Sequence, residues 1–416
     1  TAVVDAGDGD DSISLSGSSV QLTYTLGAGR DTIYLGANFG SFNLPDTRVT
    51  DFVAGASGDI LDLGNYYENE LANWDGASNP FTSGHVRFLQ VGADAVLQFD
   101  LDGGGNAWTT FITFEGLTAA ALTAANFVGW GPDGSVPAGQ NLTGSDAHQQ
   151  IDGGYGSDTI SSLGGNDTLY GRAGHDTIYA GAGDDYIDGG VGADTAYGGA
   201  GDDRFYASHG SDVLYGEVGS DSFEIQLNTA TGGNITAFGG EGDDTFIASV
   251  NFDPLSTVTV PYGGAFDGGS GDDRFTLSGA AFSVSAGAGA DIITLGNRWV
   301  SSAYTLALGA GMDVVEVGRP GSFGGYNQIS AIISDFQAGA NGDILALAGY
   351  LQSNRQAGVI TNWDGLANPI STGHLRLLQS GADTLVQVDL NGGANSFVTL
   401  VTLQNVQATA LTALNV

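Results

Sequence analysis

Eight nine-residue units run without a break over residues 153–224, each with aspartate at its sixth position. The unit is G-G-x-G-x-D-x-U-x, with U apolar, and is cleanest in Gly198-Gly199-Ala200-Gly201-Asp202-Asp203-Arg204-Phe205-Tyr206. Six residues of glycine-rich turn followed by three of strand bury nothing alone, whereas stacked copies share a core. A flexible Gly/Asp linker would not hold Ile160, Leu169, Ile178, Ile187, Ala196, Phe205, Leu214 and Phe223 in phase. The period predicts an all-β chain, a right-handed parallel β-roll solenoid in which consecutive units alternate between the two edges of a flattened coil.

That alternation places Asp158, Asp176, Asp194 and Asp212 on one edge and Asp167, Asp185, Asp203 and Asp221 on the other. Like charges stacked one coil apart repel unless a cation lies between them. A hard cation that takes six to eight oxygens in a tolerant geometry suits carboxylates mixed with bare backbone carbonyls, and Ca2+ is that cation. Gly154, Gly156, Gly165, Gly174, Gly183, Gly192, Gly201, Gly210 and Gly219 are the turn positions expected to shape these sites. Multiple calcium ions are expected, with binding coupled to folding.

Isolated units outside the run carry Asp11, Asp31, Asp244, Asp273, Asp291 and Asp313 at the same position. The residues between them are expected to keep the coil without the ion, with longer excursions at 227–238 and 251–264. Residues 141–149 suggest a degenerate first turn with Asp146 at the ligand position. A larger repeat lies over these. Thr50-Asp51-Phe52 through Gly58-Asp59-Ile60-Leu61-Asp62-Leu63 returns as Ser334-Asp335-Phe336 through Gly342-Asp343-Ile344-Leu345-Ala346-Leu347, and Asn73-Trp74-Asp75-Gly76 returns as Asn362-Trp363-Asp364-Gly365. The chain divides accordingly into a short β-roll at 1–49, a β cap at 50–130, a linker at 131–140, a long roll at 141–333 and a second cap at 334–416. Alternating polarity predicts three antiparallel strands in the first cap, at 85–90, 95–101 and 109–114. Residues 117–127 fit either a short helix or a last strand.

The nonapeptides resemble those of RTX (repeats-in-toxin) proteins, which Gram-negative bacteria export by type I secretion. The caps, with T/S-D-F-x-x-G-x-x-G-D-x-L-x-L, are similar to the C-terminal target domain of that family. The resemblance implies calcium binding and a secreted chain, extracellular or at the surface of a Gram-negative bacterium. It implies no particular activity, since enzymes, adhesins and surface-layer proteins share the repeat. One cap copy is internal, where it cannot serve as a terminal export signal, so a structural role is expected for it.

Forty-seven acidic residues against ten basic ones give a formal charge of −37. Nucleic acid and anionic membranes are poor partners for such a field. About a dozen bound ions of charge +2 would cancel most of it. The absence of cysteine excludes a disulfide framework, and no apolar run is long enough to insert in a membrane. There is no secretory leader at the start, which fits type I export and equally fits a piece of a longer protein. The chain enters a roll turn at residue 6, so either preceding residues were removed or another subunit stacks there.

No catalytic constellation is expected. H-E-x-x-H and G-x-S-x-G are both missing. His175 and His209 fall at variable repeat positions and are expected in solvent. His85 and His374, equivalent in the two caps, are expected in strand-edge hydrogen bonds. Paired aspartates such as Asp184-Asp185 and Asp202-Asp203 follow the repeat rather than a glycosidase geometry. Asp100-Leu101-Asp102-Gly103 fits a hairpin turn better than a calcium loop. The expected function is a non-enzymatic, calcium-dependent extracellular structural protein that assembles with copies of itself as a surface layer, filament or matrix. Two alternatives stand beside it: the non-catalytic secretion region of a larger enzyme or adhesin, and a carbohydrate-binding module. The latter would stack a cell-surface glycan on Trp74, Trp108, Trp299 or Trp363.

Overall fold

A computed structural model describes residues 2–15, 22–35, 47–64, 66–67, 71, 73–105, 107–228, 233–251, 262–297, 302–320, 329–356, 358–393, 396–413 and 415–416. Trp299 and the middles of the two excursions, at 229–232 and 252–261, lie outside the described residues.

The chain is a parallel β-roll. Strands from Asn141–Ser145 to Ile344–Ala346 enter a thirteen-stranded sheet and a ten-stranded sheet in strict alternation. Thr159–Leu163 pairs with Thr177–Ala182, and that strand with Thr195–Ala200, in a register of eighteen residues, which is two units per coil. Successive side chains of a strand point to opposite faces, so the U residue of every unit turns inward. All eight U residues of the run are at most 4% exposed. Inside the coil Phe205, Phe223, Phe246 and Phe275 stack nearly parallel, with centroids 4.6–4.8 Å apart. That spacing is the strand separation itself. The phenyl ladder also carries the core past the end of the unbroken repeat, into the strands that follow the isolated units of Asp244 and Asp273.

A second, shorter roll precedes it, with sheets of six and four strands and its own apolar core. Each roll ends in a cap of three antiparallel strands: Val86–Val91, Asp94–Phe99 and Thr109–Phe114 in the first, and Leu375–Ser380, Asp383–Asp389 and Phe397–Leu403 in the second. The last strand of each cap pairs in parallel with the last strand of one roll sheet, Thr47–Val49 or Ile329–Ile333. The cap thereby continues the roll sheet and covers its edge with hydrogen bonds already made. Residues 117–127 combine both expected forms, with two 3-10 turns, Ala119–Ala121 and Ala124–Asn126, followed by the strand Phe127–Val128.

The boundaries at 50 and 334 cut through a coil. Ile60–Asp62 and Ile344–Ala346 are the final roll strands, paired with Thr32–Leu35 and Val314–Pro320. The linker also ends early: the Gln140 N–H donates to Asp158 Oδ1 and its carbonyl accepts from Thr159, so this stretch already serves as a roll turn. The first turn has a different register from the one expected. Gln149, not Asp146, occupies the column position, donating its N–H to Asp167 Oδ1 at 2.8 Å, while Asp146 is exposed.

Candidate metal columns

Each aspartate of the run sits at the end of a turn, where the strand that follows fixes its backbone. Asp158, Asp176, Asp194 and Asp212 stack along one edge. The N–H of each donates to Oδ1 of the next, at 2.7, 2.8 and 3.0 Å. Asp167, Asp185, Asp203 and Asp221 stack along the other edge in the same way, at 2.6, 2.9 and 2.8 Å. This second column runs on through Asp244, Asp273, Asp291 and Asp313 at 2.8–2.9 Å. The isolated units thus belong to a single edge. Opposite them, at residues 279–280, the turn is a bend without aspartate. Asp11 and Asp31 form a short column of their own, joined at 2.9 Å.

One carboxylate oxygen is therefore used in every coil, and the other is left over. Thirteen of the fourteen aspartates have a buried Oδ2 with no hydrogen-bond partner; Asp212, last of its column, is the exception. Leaving a buried polar atom unpaired costs about 1–3 kcal/mol, and more when it is charged. Burial pushes Asp176, Asp244 and Asp273 up to about 7 and Asp203 up to about 8, and the neighbouring carboxylates add to it. Asp194 rises to about 8, and Asp212 well above its usual range, for the same reasons. A column of this kind disfavours its own ionised form.

The surroundings of the orphaned oxygens are suited to a cation. A Cβ added at Gly216 would stand 2.1 Å from Asp221 Oδ2 and 2.6 Å from the Gly239 carbonyl oxygen. At Gly171 the same construction meets Asp176 Oδ2 at 2.4 Å and the Gly189 carbonyl at 2.5 Å. Gly153, Gly198, Gly239 and Gly268 likewise leave open a cradle in which a carboxylate oxygen and a carbonyl from the next coil converge. No three acidic or histidine side chains converge among the described residues, so a cation here would draw most of its ligands from the backbone. These first-position glycines were not among the candidates above, because the sequence shows that a glycine recurs there but not what its missing Cβ leaves room for. The nine candidate glycines all adopt φ between +93° and +144°. At Gly201 both constraints act, since φ is +135° and a Cβ would lie 2.2 Å from the Gly183 carbonyl.

Aspartates at position five have another task. Asp202 N–H donates to Asp184 Oδ1 at 3.1 Å, Ser220 N–H to Asp202 Oδ1 at 2.8 Å, and Asp272 N–H to Asp243 Oδ1 at 2.8 Å. They form an exposed ladder that runs opposite in sense to the buried one.

The caps close the columns with carboxylates whose oxygens are all engaged. Asp59 Oδ1 accepts from Asp31 N–H at 3.0 Å, and its Oδ2, orphaned elsewhere in the column, accepts from Val53 N–H at 2.7 Å. Asp343 repeats this with Asp313 at 3.2 Å and Gln337 at 2.7 Å. Asp51 and Asp335 accept two consecutive N–H groups each, from Leu26 and Gly27 and from Leu308 and Gly309. Asn126 and Asn415 pin the same turns. Asn415 Nδ2 donates to the carbonyls of Gly339 and Asp343, and its Oδ1 accepts from Gly339 N–H. The duplicated motif carried the signal for all six residues, but a partner up to 76 residues away is invisible in it. Asn415→Ala is expected to destabilise the second cap by about 2–3 kcal/mol, since it strands buried backbone groups. A thermal melt in calcium checks this, and an unchanged midpoint would count against the plug.

His85 and His374 are buried, with Nδ1 sharing hydrogen bonds with Ser83 and Thr372. Each lies beneath a tight turn, where a Cβ at Gly103 or Gly392 would touch the ring. Asp100–Gly103 is a hairpin turn. Trp74 is core, its Nε1 donating to the Ser78 carbonyl, and Trp108 lies beneath the Arg87 guanidinium at 4.0 Å. His175 is exposed, whereas His209 is partly enclosed against the first cap.

The profile of the RTX calcium-binding nonapeptide repeat matches four overlapping stretches, 143–178, 152–187, 163–196 and 188–223. Residues 143–223 carry RTX calcium-binding repeats. RTX nonapeptides bind calcium, and proteins that carry them are typically secreted. The matched residues are the two-column part of the roll, and the one-column part beyond 224 lies outside the match. No curated protein matches the chain. No helix among the described residues is long and apolar enough to cross a membrane.

Proposed function

We propose that this RTX-repeat protein is a calcium-dependent extracellular structural protein, exported by type I secretion and folded by the calcium it meets outside the cell. The observation that carries the proposal is the row of orphaned Oδ2 atoms in both rolls, with oxygen-lined cradles beside them at the first-position glycines of the long roll. In this reading the ligands are the column aspartates, from Asp11 to Asp313, with carbonyls of the glycine turns. Calcium supplies the positive charge that lets a buried stack of carboxylates stay ionised. The aspartates do two jobs at once, holding the next coil through Oδ1 and facing the ion through Oδ2. Extracellular calcium modules bind at roughly 10⁻⁴ to 10⁻³ M, so the same chain stays unfolded inside the cell and folds outside.

The role is structural rather than enzymatic, and the partner is another copy of the chain. Two roll-plus-cap modules in tandem support this reading, because a repeated module offers repeated contact surfaces. Partial cancellation of the −37 charge by bound ions would let copies approach. Negative-stain electron microscopy of the purified protein in millimolar calcium is expected to show layers or filaments that disperse on chelation. Monodisperse monomers under those conditions would overturn the assembly reading.

A further inference from the structure

The first cap does more than end its own roll. It packs sideways on the central roll, and its contacts fall on turns of one edge, the edge of Asp158, Asp176, Asp194 and Asp212. Ala173 and Val191, from two of those turns, belong to the cap's apolar core. Trp130 meets Tyr155 of a third turn edge to face, with centroids 5.3 Å apart. Gly76 approaches so closely that a Cβ would stand 2.5 Å from the Val191 carbonyl. A cavity of about 250 Å³ remains between cap and turns, bounded by Tyr67 and Trp74 on one side and Gly192 and Gly210 on the other. At the equivalent place in the second cap, a Cβ at Gly365 would meet the side chain of Arg355, from that cap's own helix Ala348–Gln356.

We infer that docking of the first module and calcium filling of the edge beneath it are one linked event, so that the two columns of the central roll form distinct classes of site. The inference rests on the calcium reading above. The turns that Gly76 and Trp130 touch are the turns whose shape the column holds; without the ion their aspartates repel and the platform is lost. By linkage, whatever calcium contributes to docking, docking returns to calcium affinity on that edge. Ions beneath the cap leave only after the module lifts, whereas those on the Asp185–Asp203 edge leave directly.

The test mixes calcium-loaded full-length protein with excess chelator and follows ion release by stopped flow. Wild type is expected to release calcium in a fast and a slow phase. Gly76→Leu, placed against the Val191 carbonyl, is expected to speed the slow phase at least tenfold and leave the fast phase alone. Gly365→Leu, which carries the same positive-φ strain but meets a movable arginine instead of a backbone carbonyl, is expected to release calcium in the two phases of wild type. Calcium binding with a slow phase unmoved by Gly76→Leu would overturn the linkage while the calcium reading stands; no calcium binding at all would overturn both. Hydrogen exchange on wild type gives an independent reading should Gly76→Leu fail to fold. Protection of the amides at 73–79 is expected to be lost with the slow ions, and its loss with the fast ones would contradict the linkage.

Discussion

Chelation at pH 8 is expected to abolish most of the β signal in far-ultraviolet circular dichroism, together with the cooperative thermal transition. The magnitudes make this the largest effect the structure predicts. Thirteen buried carboxylate oxygens have no partner, and an uncompensated buried charge costs several kcal/mol even after relaxation. The whole net stability of a domain is about 5–15 kcal/mol. Ionised and without cations, the two columns outweigh everything the phenyl ladder and the aliphatic U residues contribute. Calcium added back is expected to restore the signal. Full β content in chelator at pH 8 would show that the carboxylates are held by something else.

Acid is expected to replace calcium in part. Burial raises aspartates in both columns, with Asp185, Asp221 and Asp313 pushed to about 6, Asp176, Asp244 and Asp273 to about 7, and Asp203 to about 8. In the unfolded chain they return to about 3.9. A carboxyl whose folded pKa is raised favours the folded state when neutral. That stabilisation is complete below about pH 4 and is lost as pH climbs through 6 to 8. In chelator, lowering the pH from 8 to about 4.5 is therefore expected to recover roll-like β signal. With calcium present the dependence reverses, since protons compete for the same oxygens. A chelated protein whose spectrum does not change between pH 8 and pH 4.5 would contradict the assignment of burial as the cause.

Much of the fold follows from the period alone. A nine-residue unit with one apolar position fixes the two edges, the inward U residues and the alternation of Asp158 with Asp167. The same period fails where its marker is absent. Before Asp158 there is no aspartate in register, and the Gly144-Ser145-Asp146 triplet imitates the motif three residues from Gln149, which holds the place. Beyond 224 the count is broken by segments of changing length, yet Asp244 and Asp273 rejoin the column because the coil is held by its phenyl stack rather than by spacing. The caps were legible as strands from their alternating polarity. Their use of Asp59 and Asp343 as column ends was not, because it depends on which N–H groups the coil brings to the second oxygen. Docking of Gly76 against Val191 was also hidden, since contact between modules leaves no periodic trace.

The central claim is that the orphaned Oδ2 atoms face calcium while the cap carboxylates do not. Long-wavelength anomalous difference maps from crystals grown in millimolar calcium test it directly. Peaks are expected beside Oδ2 of Asp176, Asp185, Asp203, Asp221 and their column neighbours, with none beside Oδ2 of Asp59 or Asp343. Columns without peaks in calcium-saturated crystals would contradict the account.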